Sequence, residues 1–122
     1  MQIFGTSKCK NTQKALRFFK ERNVPFQFRD LTVKPPAPGE LDDMKARLGE
    51  ADRPAGYAAF LDLQGAAAQN RGLAYRDYDP REELLAYPDL FKTPLVRPAK
   101  GAGGSGPKVV IGLNEPAWKE LL

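Results

Sequence analysis

The apolar positions of the chain change their period twice. Met1-Gln-Ile-Phe4 is a short apolar run, which predicts a buried strand over residues 2–5. From Lys10 to Arg22 the spacing is helical: Thr12, Ala15, Leu16 and Phe19 share one face, with Lys14, Arg17 and Glu21 on the other. Asn23 tolerates a left-handed backbone and Pro25 cannot continue a helix, so the helix is expected to stop there. Between Phe26 and Val33 the pattern alternates, with Phe26, Phe28 and Leu31 separated by polar residues, which predicts a second strand. Strand, helix and strand with a tight return imply a parallel pair with a right-handed crossover.

Lys34-Pro-Pro-Ala-Pro-Gly39 then reads as a rigid connector, and residues 40–90 read as helical. Leu41, Met44 and Leu48 recur at three and four, with Gly49 as a stop. Tyr57, Phe60, Leu61 and the alanines at 66–68 suggest one or two more helices. Asp79 is a natural N-cap with Pro80 in the first turn and Glu82 and Glu83 after it, and Pro88 closes that helix. Strands return at Thr93–Arg97 and Lys108–Gly112, separated by a Gly-rich hairpin loop. Asn114 caps a last helix with Pro116 in its first turn, and Trp118 is expected in the core. The order is βαβ, helices, ββα.

The spacing Gly101-x-Gly103-x-x-Gly106 matches a dinucleotide fingerprint, but Pro107 and a β run follow where a helix is needed. It reads as a turn. With 122 residues and a single cysteine, the chain can bury a core and cannot form an internal disulfide. Nothing in it resembles a secretory signal or a membrane span, and a reducing cytoplasm is the expected setting. The net charge of +4 is uneven: residues 1–22 carry six cations against Glu21 alone. Such a helix can meet nucleic acid, an acidic protein or an anionic substrate; for Lys14, Arg17 and Lys20 a solvated helix face is the expected reading, and no aromatic-interleaved basic motif supports direct nucleic-acid binding.

Cys9 lies where the first strand ends and the first helix begins, between Lys8 and Lys10. A thiolate at a helix start is stabilised by unpaired N–H groups and by the dipole. The chain has no histidine, so helix and cations must do any activating. Ser7, Lys8, Lys10 and Asn11 are hard to bury together, so Cys9 is expected to be partly exposed.

This order, with a cysteine opening the first helix, resembles a thioredoxin fold: an α/β (α+β) single domain over 1–122, with a mixed four-stranded sheet and residues 35–91 as a helical insertion. More narrowly, the chain resembles the arsenate reductase-like (ArsC/Spx/YffB) family of glutaredoxin-related proteins. The matching residues are Ile3-Phe-Gly-Thr-Ser-Lys-Cys-Lys-Asn-Thr-Gln-Lys-Ala15, Asn70-Arg71-Gly72, Tyr87-Pro-Asp-Leu-Phe-Lys-Thr-Pro-Leu-Val-Arg97, and Val110-Ile-Gly112 with Asn114-Glu115. The resemblance implies a thiol-dependent oxidoreductase with Cys9 as nucleophile and Thr12 as its hydroxyl partner. It implies substrate binding by Asn11, Arg71, Thr93, Pro94 and Arg97, with Pro94 as the cis proline facing the cysteine.

The implied substrate is a small oxyanion or a glutathione mixed disulfide. No cofactor or metal is implied, only glutathione or another low-molecular-weight thiol as co-substrate. Protein partners implied by the family are glutaredoxin and, in its Spx branch, RNA polymerase. A non-catalytic regulatory module, or a degenerate member with little activity, is the alternative. The departures are specific: Thr93 stands where the reductases have an arginine, a third arginine has no clear counterpart, and their activating histidine falls at Gly5. Arg71 can equally be a surface arginine beside a glycine turn, and Arg97 can equally be an ion-pair member.

Overall fold

The computed structural model describes residues 1–99 and 108–122, so the Gly-rich loop and its 101–106 pattern lie outside the described residues. Strand β1 (Gln2–Gly5) is followed by helix α1 (Lys10–Glu21) and strand β2 (Gln27–Asp30). Strands β3 (Leu95–Arg97) and β4 (Val110–Ile111) precede the last helix, Glu115–Lys119. The sheet order is β2-β1-β3-β4, parallel between β1 and β2 and antiparallel elsewhere. This is the predicted mixed four-stranded sheet.

β1 is central, and its apolar run is continuous because both faces are covered. Neighbouring residues on a strand point to opposite faces. Phe4 and Leu95 accordingly join one core, with Leu41, Leu84 and Leu90, while Ile3 and Val96 join the other, with Phe19 and Trp118. α1 and the C-terminal helix build that second core. α1 buries Thr12, Ala15, Phe18 and Phe19 and ends before Asn23, whose φ of 56° is the predicted left-handed stop. Phe18 widens the predicted face because the C-terminal helix covers it, the Phe18 and Trp118 rings lying 5.4 Å apart.

β2 is shorter than the alternation suggested. The Asp30 carboxylate accepts from Thr32 N–H at 2.9 Å and from its hydroxyl at 2.6 Å, which turns the chain out of the sheet. Arg29 is buried, because Glu40 pairs with it at 2.5 Å and the Phe4 ring lies 4.9 Å beneath its guanidinium carbon.

Between β2 and β3 lie α2 (Pro38–Ala46), α3 (Ala66–Asn70) and α4 (Pro80–Ala86), with 3-10 turns at Gly56–Phe60, Leu73–Tyr75 and Pro88–Leu90. The C-terminal helix, Glu115–Lys119, is therefore α5. α2 stops short of Leu48, whose backbone forms a bridge with Val109. The apolar stretch from Tyr57 to Ala68 yields one turn and one short helix, because Gly65 N–H closes a turn onto Asp62 C=O at 3.1 Å between them. α4 starts as predicted, with Asp79 accepting from the Arg81 and Glu82 N–H groups at 2.9 and 3.3 Å. This helical segment positions the return to the sheet. Lys92 N–H donates to Phe60 C=O at 2.7 Å and Asp62 N–H donates to Leu90 C=O at 2.8 Å, so the approach to Thr93 is pinned on both sides. Among the described residues, no helix is long and apolar enough to cross a membrane.

Candidate active site

The end of β1 and the start of α1 together hold Cys9. Its N–H donates to Thr6 C=O at 3.1 Å, and its C=O accepts from Gln13 N–H at 3.0 Å. The Gln13 amide also reaches back to Ser7 C=O at 2.6 Å, closing the loop from both ends. Cys9 is the N-cap residue in extended conformation, half-buried, and the first turn of α1 contains no acidic side chain. That leaves the field at the helix start uncancelled.

From the other side comes β3. The Thr93–Pro94 peptide bond is cis, as the resemblance implied, and the Thr93 hydroxyl donates to Cys9 Sγ at 3.0 Å. Pro94 is buried, its carbonyl accepting from Gly112 N–H at 2.8 Å. Burial pushes the Cys9 thiol up. Hydrogen bonds from the Thr12 and Thr93 side chains and from the Thr12 and Asn11 N–H groups outweigh it, so the thiol sits below its ordinary value. The Thr12 hydroxyl has no settled partner, whereas Thr93 is already in place. Thr12 therefore acts on the charged sulfur, to which its hydroxyl can rotate as a donor. Asn11 contributes through its backbone.

Gly5 explains how Thr12 fits. A Cβ at Gly5 would stand 2.3 Å from Thr12 Oγ1 and 2.5 Å from its Cγ2. A side chain at position 5 and a threonine at position 12 therefore exclude one another. A histidine at this place, which the resemblance implied for the reductases, would meet the same clash with Thr12. Sequence reading noted Gly5 only as a departure, and missed it as a packing requirement.

Both arginines are held by carboxylates. Arg71, the C-cap of α3, forms a bidentate pair with Glu83 (Nε–Oε2 2.8 Å, Nη2–Oε1 3.1 Å) and stacks 3.5 Å above the Tyr87 ring. Arg76 takes the same carboxylate at 2.5 Å. Arg97 pairs with Gln2 across the sheet, at the end of β1 away from Cys9. There it binds Asp43 at 2.8 Å and Gln2 Oε1 at 2.8 Å. For Arg97 the structure takes the ion-pair alternative, because two strand residues, Leu95 and Val96, separate it from the cis proline. Glu83, singled out in the sequence only as a helix-start acid, is the anion that Arg71 holds.

Hydrogen bonds from Arg71 and then Arg76 draw the Glu83 carboxyl down to about 2. Its unfolded value is about 4.3, so the stabilisation is full above that pH and is lost as pH falls toward 2. Urea midpoints measured between pH 5 and about 2 should fall less steeply in Glu83→Gln than in wild type. Parallel pH curves would contradict this pairing.

Among the described residues no group of three metal-ligating side chains occurs. No protein-family model and no curated protein matches the chain. Solved structures do. The YFFB (PA3664) protein is 21% identical, with a TM-score of 0.76 over 99% of this chain and 97% of its own. SACOL0876 from Staphylococcus aureus COL is 21% identical, with a TM-score of 0.72 over 98% and 96%. An arsenate reductase from Vibrio cholerae is 15% identical, with a TM-score of 0.70 over 100% and 98%. The likeness runs the full length of the chain and establishes an arsenate reductase-like, thioredoxin-related fold.

Proposed function

We propose that this chain is a thiol-dependent reductase of the arsenate reductase-like family that acts on glutathione mixed disulfides by a single-cysteine route. The carrying observation is the Thr93 hydroxyl donating to the Cys9 sulfur at 3.0 Å, with two α1 amides and a buried, unpartnered Thr12 hydroxyl placed to favour the thiolate. The Cys9 thiolate attacks the glutathionyl sulfur of a mixed disulfide, forming Cys9–S–S–glutathione and releasing the other partner as a thiolate. A second glutathione thiolate then attacks the glutathione sulfur of that adduct. It leaves as glutathione disulfide and Cys9 returns as thiolate. Thr12 stands where a resolving cysteine would be needed, so the second thiol comes from solution.

The oxyanion alternative has weaker support in this chain. Bidentate arginines are the usual grip on a small oxyanion. Here Arg71 is committed to Glu83 and Arg97 to Asp43. The test uses a mixed disulfide of glutathione with a small thiol, supplied with free glutathione, and measures turnover. Wild type should turn over and Cys9→Ser should not. Arsenate at millimolar concentration should leave the Cys9 alkylation rate unchanged. Arsenate reduction without mixed-disulfide turnover would overturn the reading.

A further inference from the structure

Beside the Cys9 loop lies a groove of about 360 Å³, lined by Thr6, Leu31, Thr32, Pro35, Pro88 and Asp89. That is the small end of the range of about 300–1,000 Å³ for pockets that hold ligands, and suits one long side chain rather than a whole small molecule. Its walls belong to the machinery of the site. Thr6 is the residue whose carbonyl holds the Cys9 N–H at 3.1 Å. Pro88 and Asp89 form the 3-10 turn that leads into Thr93.

The floor is apolar and stiff: Leu31 is buried, and the two prolines cannot move their rings far. The Thr32 hydroxyl is already given to Asp30 at 2.6 Å. This leaves the Asp89 carboxylate, which is exposed and has no ion-pair partner among the described residues. A long side chain with a methylene stem and a cationic end satisfies both features, covering the prolines and Leu31 with the stem and meeting Asp89 with the head.

We infer that this groove receives a lysine or arginine adjacent to the reacting cysteine of a protein disulfide substrate. The inference rests on the reductase reading and extends it from a small mixed disulfide to a glutathionylated protein with a basic residue beside its cysteine. It runs against the surrounding field. Lys8, Lys10 and Lys92 are exposed near the thiol, and the chain carries +4, so without the groove an acidic peptide would approach faster.

The test is stoichiometric exchange between Cys9 and short peptides whose cysteine is glutathionylated. The Cys9 thiolate attacks the glutathione sulfur, the Cys9–glutathione disulfide forms and the peptide leaves as its thiolate, and mass spectrometry follows the glutathionylated protein over time. Peptides with Lys, Leu or Glu beside the cysteine are compared in wild type and Asp89→Lys, an exposed position at which folding is not at risk. The lysine peptide should react about two- to fivefold faster than the glutamate peptide in wild type, the range an exposed ion pair supplies. The order should invert in Asp89→Lys. A glutamate peptide that is fastest in wild type, or rates unchanged by the substitution, would overturn the inference. This exchange needs only a thiolate. Loss of turnover on the small mixed disulfide would therefore count against the reductase reading, while the peptide ranking judges the groove separately.

Discussion

Gly5→Ala is expected to destabilise the fold and raise the Cys9 pKa together. The new Cβ would meet Thr12 Oγ1 at 2.3 Å, Cγ2 at 2.5 Å and Cβ at 3.0 Å, inside any tolerable contact. Thr12 is fully buried on α1 and cannot swing into solvent. Either the start of α1 must move or Thr12 must leave its rotamer, and overpacking of this kind costs about 1–3 kcal/mol. A shift of the helix start also withdraws the Asn11 and Thr12 amides that favour the thiolate. Thr12→Ala removes the two shortest contacts and leaves only the one at 3.0 Å. The double variant Gly5→Ala/Thr12→Ala should therefore be more stable than the two single effects add up to, by about 1–2 kcal/mol of coupling. Urea unfolding of the four proteins measures it. Additive effects would mean that the two residues do not share this space.

Trp118→Ala carries the largest expected loss of stability. Trp118 is fully buried and packs against Phe18 at 5.4 Å and Phe19 at 6.1 Å between ring centroids. It is the buried anchor of the five-residue helix α5. Truncating a buried tryptophan costs about 3–5 kcal/mol. For a domain of this size that lowers the melting temperature by about 10–20 °C. Trp118→Phe should cost much less, because the indole Nε1 has no hydrogen-bond partner to lose. If the alanine variant melts within a few degrees of wild type, α5 contributes little to this core.

The fold was legible where one period or one cap decided the local structure. The run at Ile3–Phe4, the α1 spacing, the Asn23 stop and the Asp79 and Asn114 caps all read directly from the residues. What failed to show was decided by tertiary cover. Phe18 joined the buried face because α5 lies over it, and Arg29 went inside because Glu40 waits there. β2 ended early at a side-chain turn, and α2 lost Leu48 to a bridge with Val109.

The candidate site divided in the same way. Cys9 was readable from its place between the first strand and the first helix, whereas Thr12, Thr93 and Pro94 came from the family resemblance alone. Their convergence at one sulfur needed the β1–β3 pairing, which is non-local. Arg71 and Arg97 were chosen by family position, and a sequence gives no sign that carboxylates from α4 and α2 already occupy them. Gly5 carried no signal, since the absence of a side chain matters only once its neighbour is known.

The most direct test is the rate of Cys9 alkylation against pH in wild type and Thr93→Val, a nearly isosteric change that removes the donor at 3.0 Å from the sulfur. The wild-type midpoint should fall below the ordinary thiol value of about 8.5. It should rise in Thr93→Val, since one hydrogen bond to a charged group is worth about 1.5–3 kcal/mol. A wild-type midpoint at the ordinary value, unmoved by the substitution, would contradict an activated thiolate at Cys9 and with it the proposed reductase.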